Sequence, residues 1–196
     1  MGNSRFVSGV PATVTSAARR AELAAGQAPS TIVVGCSDSR VPPEIIFDQP
    51  LGELFVIRVA GNTVASSQVG SVEFAAEQLG ARLVVVLGHS RCGAVMAALE
   101  APPVDTPNYP RSIVDRVLPA LEVLLSEDRE CAAEELLARA VRANITHAAA
   151  QLRQEFAAHE SLGQGAGLLV VGAEYSLTTG EVEFFDGLQS PTGTQR

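Results

Sequence analysis

Lysine is absent from the 196-residue chain; all 14 basic residues are arginine. That absence excludes Schiff-base chemistry and a Walker-type phosphate lysine. Positive charge is scarce as well: 22 acidic residues leave a net charge of −8, and no basic cluster marks a surface for nucleic acid or anionic membrane. Long hydrophobic runs are missing. Runs such as 83–87 and 168–171 fall far short of the roughly 20 apolar residues that cross a bilayer. Residues 1–10 lack the apolar core of a secretory signal, and Phe6 stands where a myristoylation signal requires serine or threonine. Three cysteines, Cys36, Cys92 and Cys131, are too few and odd in number for a disulfide framework and fit a reducing compartment. These absences together read as a cytoplasmic protein with no nucleic-acid or membrane partner.

What is present is a composition 46% hydrophobic and 18% charged, enough for one sizeable core and unlike a disordered chain or a coiled coil. Residues 1–196 read as a single domain, with 1–30 an N-terminal arm holding a short helix at 17–25 and an opening Asn3-Ser4-Arg5-Phe6 that has nothing ahead of it to pack against. Four β-branched or aliphatic runs, at 31–35, 54–58, 83–88 and 168–172, are unbroken rather than alternating, as in strands covered on both faces. Helical spacing at 66–79, after Cys92, at 113–124 and at 132–152 fills the connections, with Pro119 expected to bend its helix. The fold class is therefore α/β: a mainly parallel central sheet flanked by helices, a helical C-terminal half, and an edge strand at 182–185. Residues 101–110 form a Pro-rich loop, and Gly163, Gly165 and Gly167 signal the end of the last helix.

Two strands end in side chains that carry chemistry. The first runs into Cys36-Ser37-Asp38-Ser39-Arg40 and the third into His89-Ser90-Arg91-Cys92-Gly93. In extended chain Cys36 and Asp38 share a face, and His89 and Cys92, three apart at a helix start, come together. Strand ends of parallel sheets are where ligands collect. Two thiolates, an imidazole and a carboxylate suit tetrahedral zinc, although either cysteine taken alone reads more readily as an ordinary buried one. Asp38 has two available partners, the metal and the guanidinium of Arg40 two residues on. Choosing the metal closes the site; choosing Arg40 leaves zinc on Cys36, His89 and Cys92 with an open position for water. Two thiolates also cancel the ion's charge, so water bound there should ionise above the value of about 7 typical of all-histidine sites, with activity rising toward alkaline pH.

These segments resemble the beta-class carbonic anhydrases: GCSDSRVP at 35–42, GELFVIR at 52–58 followed by Ala60-Gly61-Asn62, and GHSRCG at 88–93. The likeness extends to the Phe6-Val7 start, to Ser71-Val72-Glu73-Phe74, and to Tyr175 ahead of a Thr179-Gly180 turn. It implies a beta-carbonic-anhydrase-like fold and reversible hydration of carbon dioxide to bicarbonate and a proton, by attack of zinc-bound hydroxide, with one zinc per chain on Cys36, His89 and Cys92. Asp38 paired with Arg40 would orient the hydroxide, and in the family's inactive form Asp38 takes the fourth zinc position. Gln27 and the backbone N–H of Gly93 would contact substrate, and Phe55, Ala60 and Phe74 would form an apolar wall. Self-association as a homodimer, or further as a homotetramer, is also implied. Val33 stands where members with an inhibitory bicarbonate site carry tryptophan, and the chain begins near the end of the family's longer N-terminal helix, so either a less embraced dimer or a shortened start is expected.

Competing readings are a hydrolase of the same fold acting on carbonyl sulfide or CS2, a non-catalytic zinc protein with Asp38 held on the metal, and a dinucleotide-binding module. The last lacks the required glycine spacing. His147 and His159 lie outside the motifs and read as surface or packing residues, and Cys131 reads as a helix cysteine without a role. Arg58 serves an interface or holds a carboxylate; the sequence does not choose.

Overall fold

A computed structural model describes residues 1–12, 15–100, 110–127, 131–157 and 167–188. Five strands form one sheet in the order β2-β1-β3-β4-β5. They are β1 (Thr31–Gly35), β2 (Leu54–Arg58), β3 (Leu83–His89), β4 (Leu169–Tyr175) and β5 (Val182–Asp186). The first four run parallel and β5 closes the edge antiparallel. The helices are α1 (Gly2–Val7), α2 (Ala17–Leu23), α3 (Pro43–Ile46), α4 (Ser66–Gln78), α5 (Gly93–Leu99), α6 (Arg111–Glu127) and α7 (Ala133–Ala157), with a 3₁₀ turn at Ala60–Asn62.

The unbroken apolar runs are explained by two separate cores. Successive strand side chains alternate faces, so Ile32, Val34, Val84, Val86 and Val170 join Val72 and Ala75 of α4 and Ile145, Ala148 and Leu152 of α7 on one side. Val33, Val85, Leu87, Val171, Ala173 and Tyr175 join Val41, Ile46 and the partly buried Phe6 on the other. After β1 the chain turns to β2 on one side; after β3 it turns to β4 on the other. The ends of β1 and β3 therefore flank the point where crossovers diverge, a crevice that the sheet itself leaves open.

The fold agrees with the architecture read from the sequence, with local differences. The opening residues do find a partner: they form α1, where Asn3 donates to the carbonyls of Ile46 (3.2 Å) and Gly180 (2.8 Å) and accepts from the N–H of Val182 (2.9 Å). Arg5 pairs with the buried Asp48. One polar side chain, invisible to a hydrophobic pattern, thus docks the arm onto the β4–β5 turn. The third strand extends to His89, and Tyr175 closes β4 rather than following it, because the two pair in register. Helix α6 continues through Pro119. Most of the Pro-rich loop, His159, Gly163 and Gly165 lie outside the described residues.

Helix α7 lies close over the sheet. A Cβ added to Gly88 would sit 2.5 Å from Ile145 side-chain atoms. Gly88→Ala should therefore cost about 1–3 kcal/mol through overpacking, read as a lower urea midpoint, and Ile145→Ala in the same chain should recover part of that loss, so that the two substitutions are not additive.

Candidate metal centre and its surroundings

Cys36 follows β1, His89 ends β3, and Cys92 stands immediately before α5, whose first residue is Gly93. One donor atom from each residue lies within 4.8 Å of the others, and all three residues are buried. His89 is oriented by its neighbour: Nδ1 bonds the carbonyl of Ser90 at 2.9 Å, which makes Nδ1 the protonated nitrogen and leaves Nε2 with a lone pair. That Nε2 is buried with no hydrogen-bond partner among the described residues. Leaving such an atom unmatched is costly unless a ligand completes it. Ser90 is itself fixed, its N–H donating to the carbonyl of Tyr175 (3.0 Å) and its hydroxyl accepting from the N–H of Leu177 (3.0 Å). An orphaned imidazole nitrogen beside two sulfurs is a donor set for zinc.

The sulfurs are electrically linked. A hydrogen bond from Cys92 holds the Cys36 thiol at about 4 despite burial, with His89 and the backbone of Asp38 and Gly61 assisting. The same contact with Cys36, reinforced by burial, pushes Cys92 strongly up. Burial opposes charge on His89, but the contact with Cys36 and its negative charge, together with the Ser90 carbonyl and Asp38, outweigh it and raise its pKa. The raised Cys92 and His89 favour keeping protons that a bound cation would displace.

Asp38 lies at the rim. Its Oδ1 accepts from the backbone N–H of Arg40 and from Arg40 Nε (both 2.9 Å), and its Oδ2 accepts from the guanidinium at 2.7 Å. The side-chain bond to Arg40 holds the carboxyl well below the usual carboxylate range, against a smaller effect of burial. Oδ2 also lies 3.8 Å from His89 Nε2, beside the donors. From β2, Arg58 Nε donates to the Cys36 carbonyl (2.9 Å) and its terminal nitrogen to the Asp38 carbonyl (2.6 Å).

Comparison with known proteins is consistent along nearly the whole chain. The family model for carbonic anhydrase matches residues 31–182. Carbonic anhydrase 2 of Mycobacterium tuberculosis is 42% identical over 188 residues, covering 94% of this chain and 88% of that protein. The chain belongs to the beta-class carbonic anhydrases. A carbonic anhydrase of Pseudomonas aeruginosa is 36% identical over 171 residues, covering 84% of this chain and 77% of that protein. The beta-carbonic anhydrase CafA of the fungal pathogen Aspergillus fumigatus superposes with a TM-score of 0.76 at 28% identity, covering 87% of this chain and 82% of that one.

In this carbonic anhydrase Cys36, His89 and Cys92 form the site for one zinc ion. Of the residues singled out from the sequence, these three converge with Asp38 and Arg40, and Ala60 opens the 3₁₀ turn beside Cys36. Gln27 is exposed in the loop before β1. Phe55 and Phe74 pair with ring centroids 6.4 Å apart, Phe74 being 50% exposed. His147 is half-buried on α7 and Cys131 half-buried ahead of it. The sequence left Arg58 undecided; it holds two backbone carbonyls, not a carboxylate, because β2 pairs with β1 in a register that sets Arg58 opposite Gly35. Among the described residues no helix is long and apolar enough to cross a membrane.

Because the ligands must be deprotonated, zinc uptake at neutral pH should release about one proton or more per ion, and affinity should fall as pH is lowered. Calorimetry of zinc binding in buffers of different ionisation enthalpy reads the proton count directly; uptake without release would contradict a protonated Cys92. Arg58→Ala should keep the fold while weakening zinc retention about 10- to 100-fold, measured by competition with a chromophoric chelator.

Proposed function

We propose that the chain hydrates carbon dioxide reversibly to bicarbonate and a proton, with Asp38 and Arg40 as the residues that keep the zinc site open and orient the nucleophile. The observation that carries this reading is the two-pronged Asp38–Arg40 pair set beside, rather than inside, the Cys36–His89–Cys92 cluster. Zinc, when bound, supplies the Lewis acidity that makes water nucleophilic near neutral pH. Arg40 bonds both Asp38 oxygens, Oδ1 twice and Oδ2 once, so Oδ2, which faces the donors, has a lone pair left to accept a hydrogen bond from the nucleophile, aiming the nucleophile's own lone pair at the carbon of CO2. A carboxylate whose pKa is driven down by Arg40 stays ionised across the working pH range. It therefore acts as an acceptor and not as a proton carrier. Arg40 compensates the carboxylate's charge; without it, Asp38 would gain by moving onto the cation.

Substrate is met by the remaining residues of this proposal. The Gly93 N–H, at the first turn of α5, and the amide of Gln27 donate to oxygens of CO2 or bicarbonate, and Phe55, Ala60 and Phe74 make the apolar wall. Phe74 is half exposed and Gln27 is on the surface of a single chain. A second copy covering Phe74 and presenting its Gln27 completes the pocket, which supports a homodimer and allows pairing into a tetramer. Three unpaired cysteines support a cytoplasmic location.

Stopped-flow CO2 hydration by zinc-verified protein tests the reading; a fully metallated chain without activity would defeat it. Arg40→Ala should keep zinc yet lose about 10- to 100-fold at neutral pH, with its alkaline rise displaced upward. Asp38→Ala should keep zinc with lower turnover, and adding Arg40→Ala to it should change little, since no carboxylate remains to be restrained. A double variant markedly worse than Asp38→Ala would assign Arg40 a separate role. Sedimentation should give a dimer at micromolar concentration, and Phe74→Glu should shift it to monomer with loss of activity; a fully active native monomer would rule out the shared pocket.

A further inference from the structure

The zinc-site reading leaves the buried amide of Asn144 without a role. Asn144 is 2% exposed on α7, within a stripe otherwise made of Ala140, Val141, Ile145 and Ala148. A primary amide there is unfavourable unless its hydrogen bonds are made. Its Nδ2 donates at 2.8 Å to the carbonyl of Gly61, 83 residues away. Gly61 in turn donates its own N–H to Cys36 Sγ at 3.3 Å.

We propose that Asn144 is a positioning residue for the zinc ligand Cys36, acting through Gly61. The two peptide units joined at the Gly61 Cα are each held at one end: one by the sulfur, the other by Asn144. Gly61 has φ +69°, a left-handed conformation that the turn sequence alone does not enforce. Anchoring its carbonyl on a long helix fixes that conformation and thereby the direction of the N–H toward the sulfur. An N–H bond to a thiolate withdraws negative charge and restricts the sulfur's motion, the kind of outer support that sets how tightly a ligand holds its metal. A polar group that served packing alone would be replaceable by leucine of similar size; the chain of bonds to Cys36 says that it is not.

The proposal rests on the zinc-site reading, and its test separates the two. Zinc-loaded native protein, Asn144→Leu, Asn144→Ser and the neighbouring packing variant Ile145→Val are compared for zinc transfer to a chromophoric chelator and, after cobalt(II) substitution, for the thiolate-to-cobalt absorption band. Both Asn144 variants should release zinc about 10- to 100-fold faster and shift the band. Ile145→Val should lower thermal stability with neither change. Asn144→Ser keeps a small polar side chain on the helix, so it reports even where Asn144→Leu does not fold, and faster hydrogen exchange of the Gly61 amide should accompany it. Native release and an unshifted band in Asn144→Ser would overturn the positioning role while leaving the zinc site intact. Absence of a thiolate band in the native cobalt protein would overturn the zinc assignment and this inference with it.

Discussion

Burial of two cysteines and a histidine side by side, at the ends of β1 and β3, is the constraint on which the rest of the molecule depends. Like donors in so small a space repel or retain protons when no cation is present: Cys36 is held as thiolate while Cys92 is pushed strongly toward thiol. The surrounding protein offsets this by hydrogen bonds aimed inward. The Ser90 carbonyl fixes the tautomer of His89 and the Gly61 N–H bonds the Cys36 sulfur. The centre is thus prepared for a cation before one arrives, and the protons to be displaced are what links metal binding to pH.

Around that centre, parts far apart in the chain converge for geometrical reasons. Parallel strands point the same way, so the residues leaving β1 and β3 emerge on one edge, and divergence of the crossovers keeps that edge uncovered. Arg58, at the end of β2, clamps two carbonyls of the Cys36 to Asp38 segment. Helix α7 covers the opposite flank, with Ile145 against Gly88 and Asn144 against Gly61. Loops usually carry functional groups on a mobile backbone. In this protein the loop after β1 is tied to β2 directly, and its sulfur is tied through Gly61 to α7.

Polar groups do most of the work of placing these loops, while apolar surface drives the fold. The two cores on either face of the sheet are almost wholly aliphatic, and their burial supplies the stabilisation. Direction and register come from a few hydrogen-bonding side chains: Asn3 docking α1, Arg58 on the β1 loop, Asn144 on the 3₁₀ turn. Each joins residues distant in sequence, so each acts only once the sheet has formed.

By itself the sequence determined the α/β class, the five strands, the main helices and the three zinc donors. Its apolar runs and 3.6-residue stripes are local signals, and Cys36, His89 and Cys92 sit directly at strand ends, where neighbouring residues settle which side chains share a face. Only the tertiary structure decided that both oxygens of the Asp38 carboxylate meet the Arg40 guanidinium, since the turn after β1 had to be known to bring them together. It also decided that Arg58 binds carbonyls, that Asn3 gives the opening residues a place to pack, and that Asn144 meets Gly61. Those contacts bridge 20 to 179 residues of chain. No periodicity or spacing encodes such a separation, because it is set by strand pairing and helix packing rather than by any neighbouring residue.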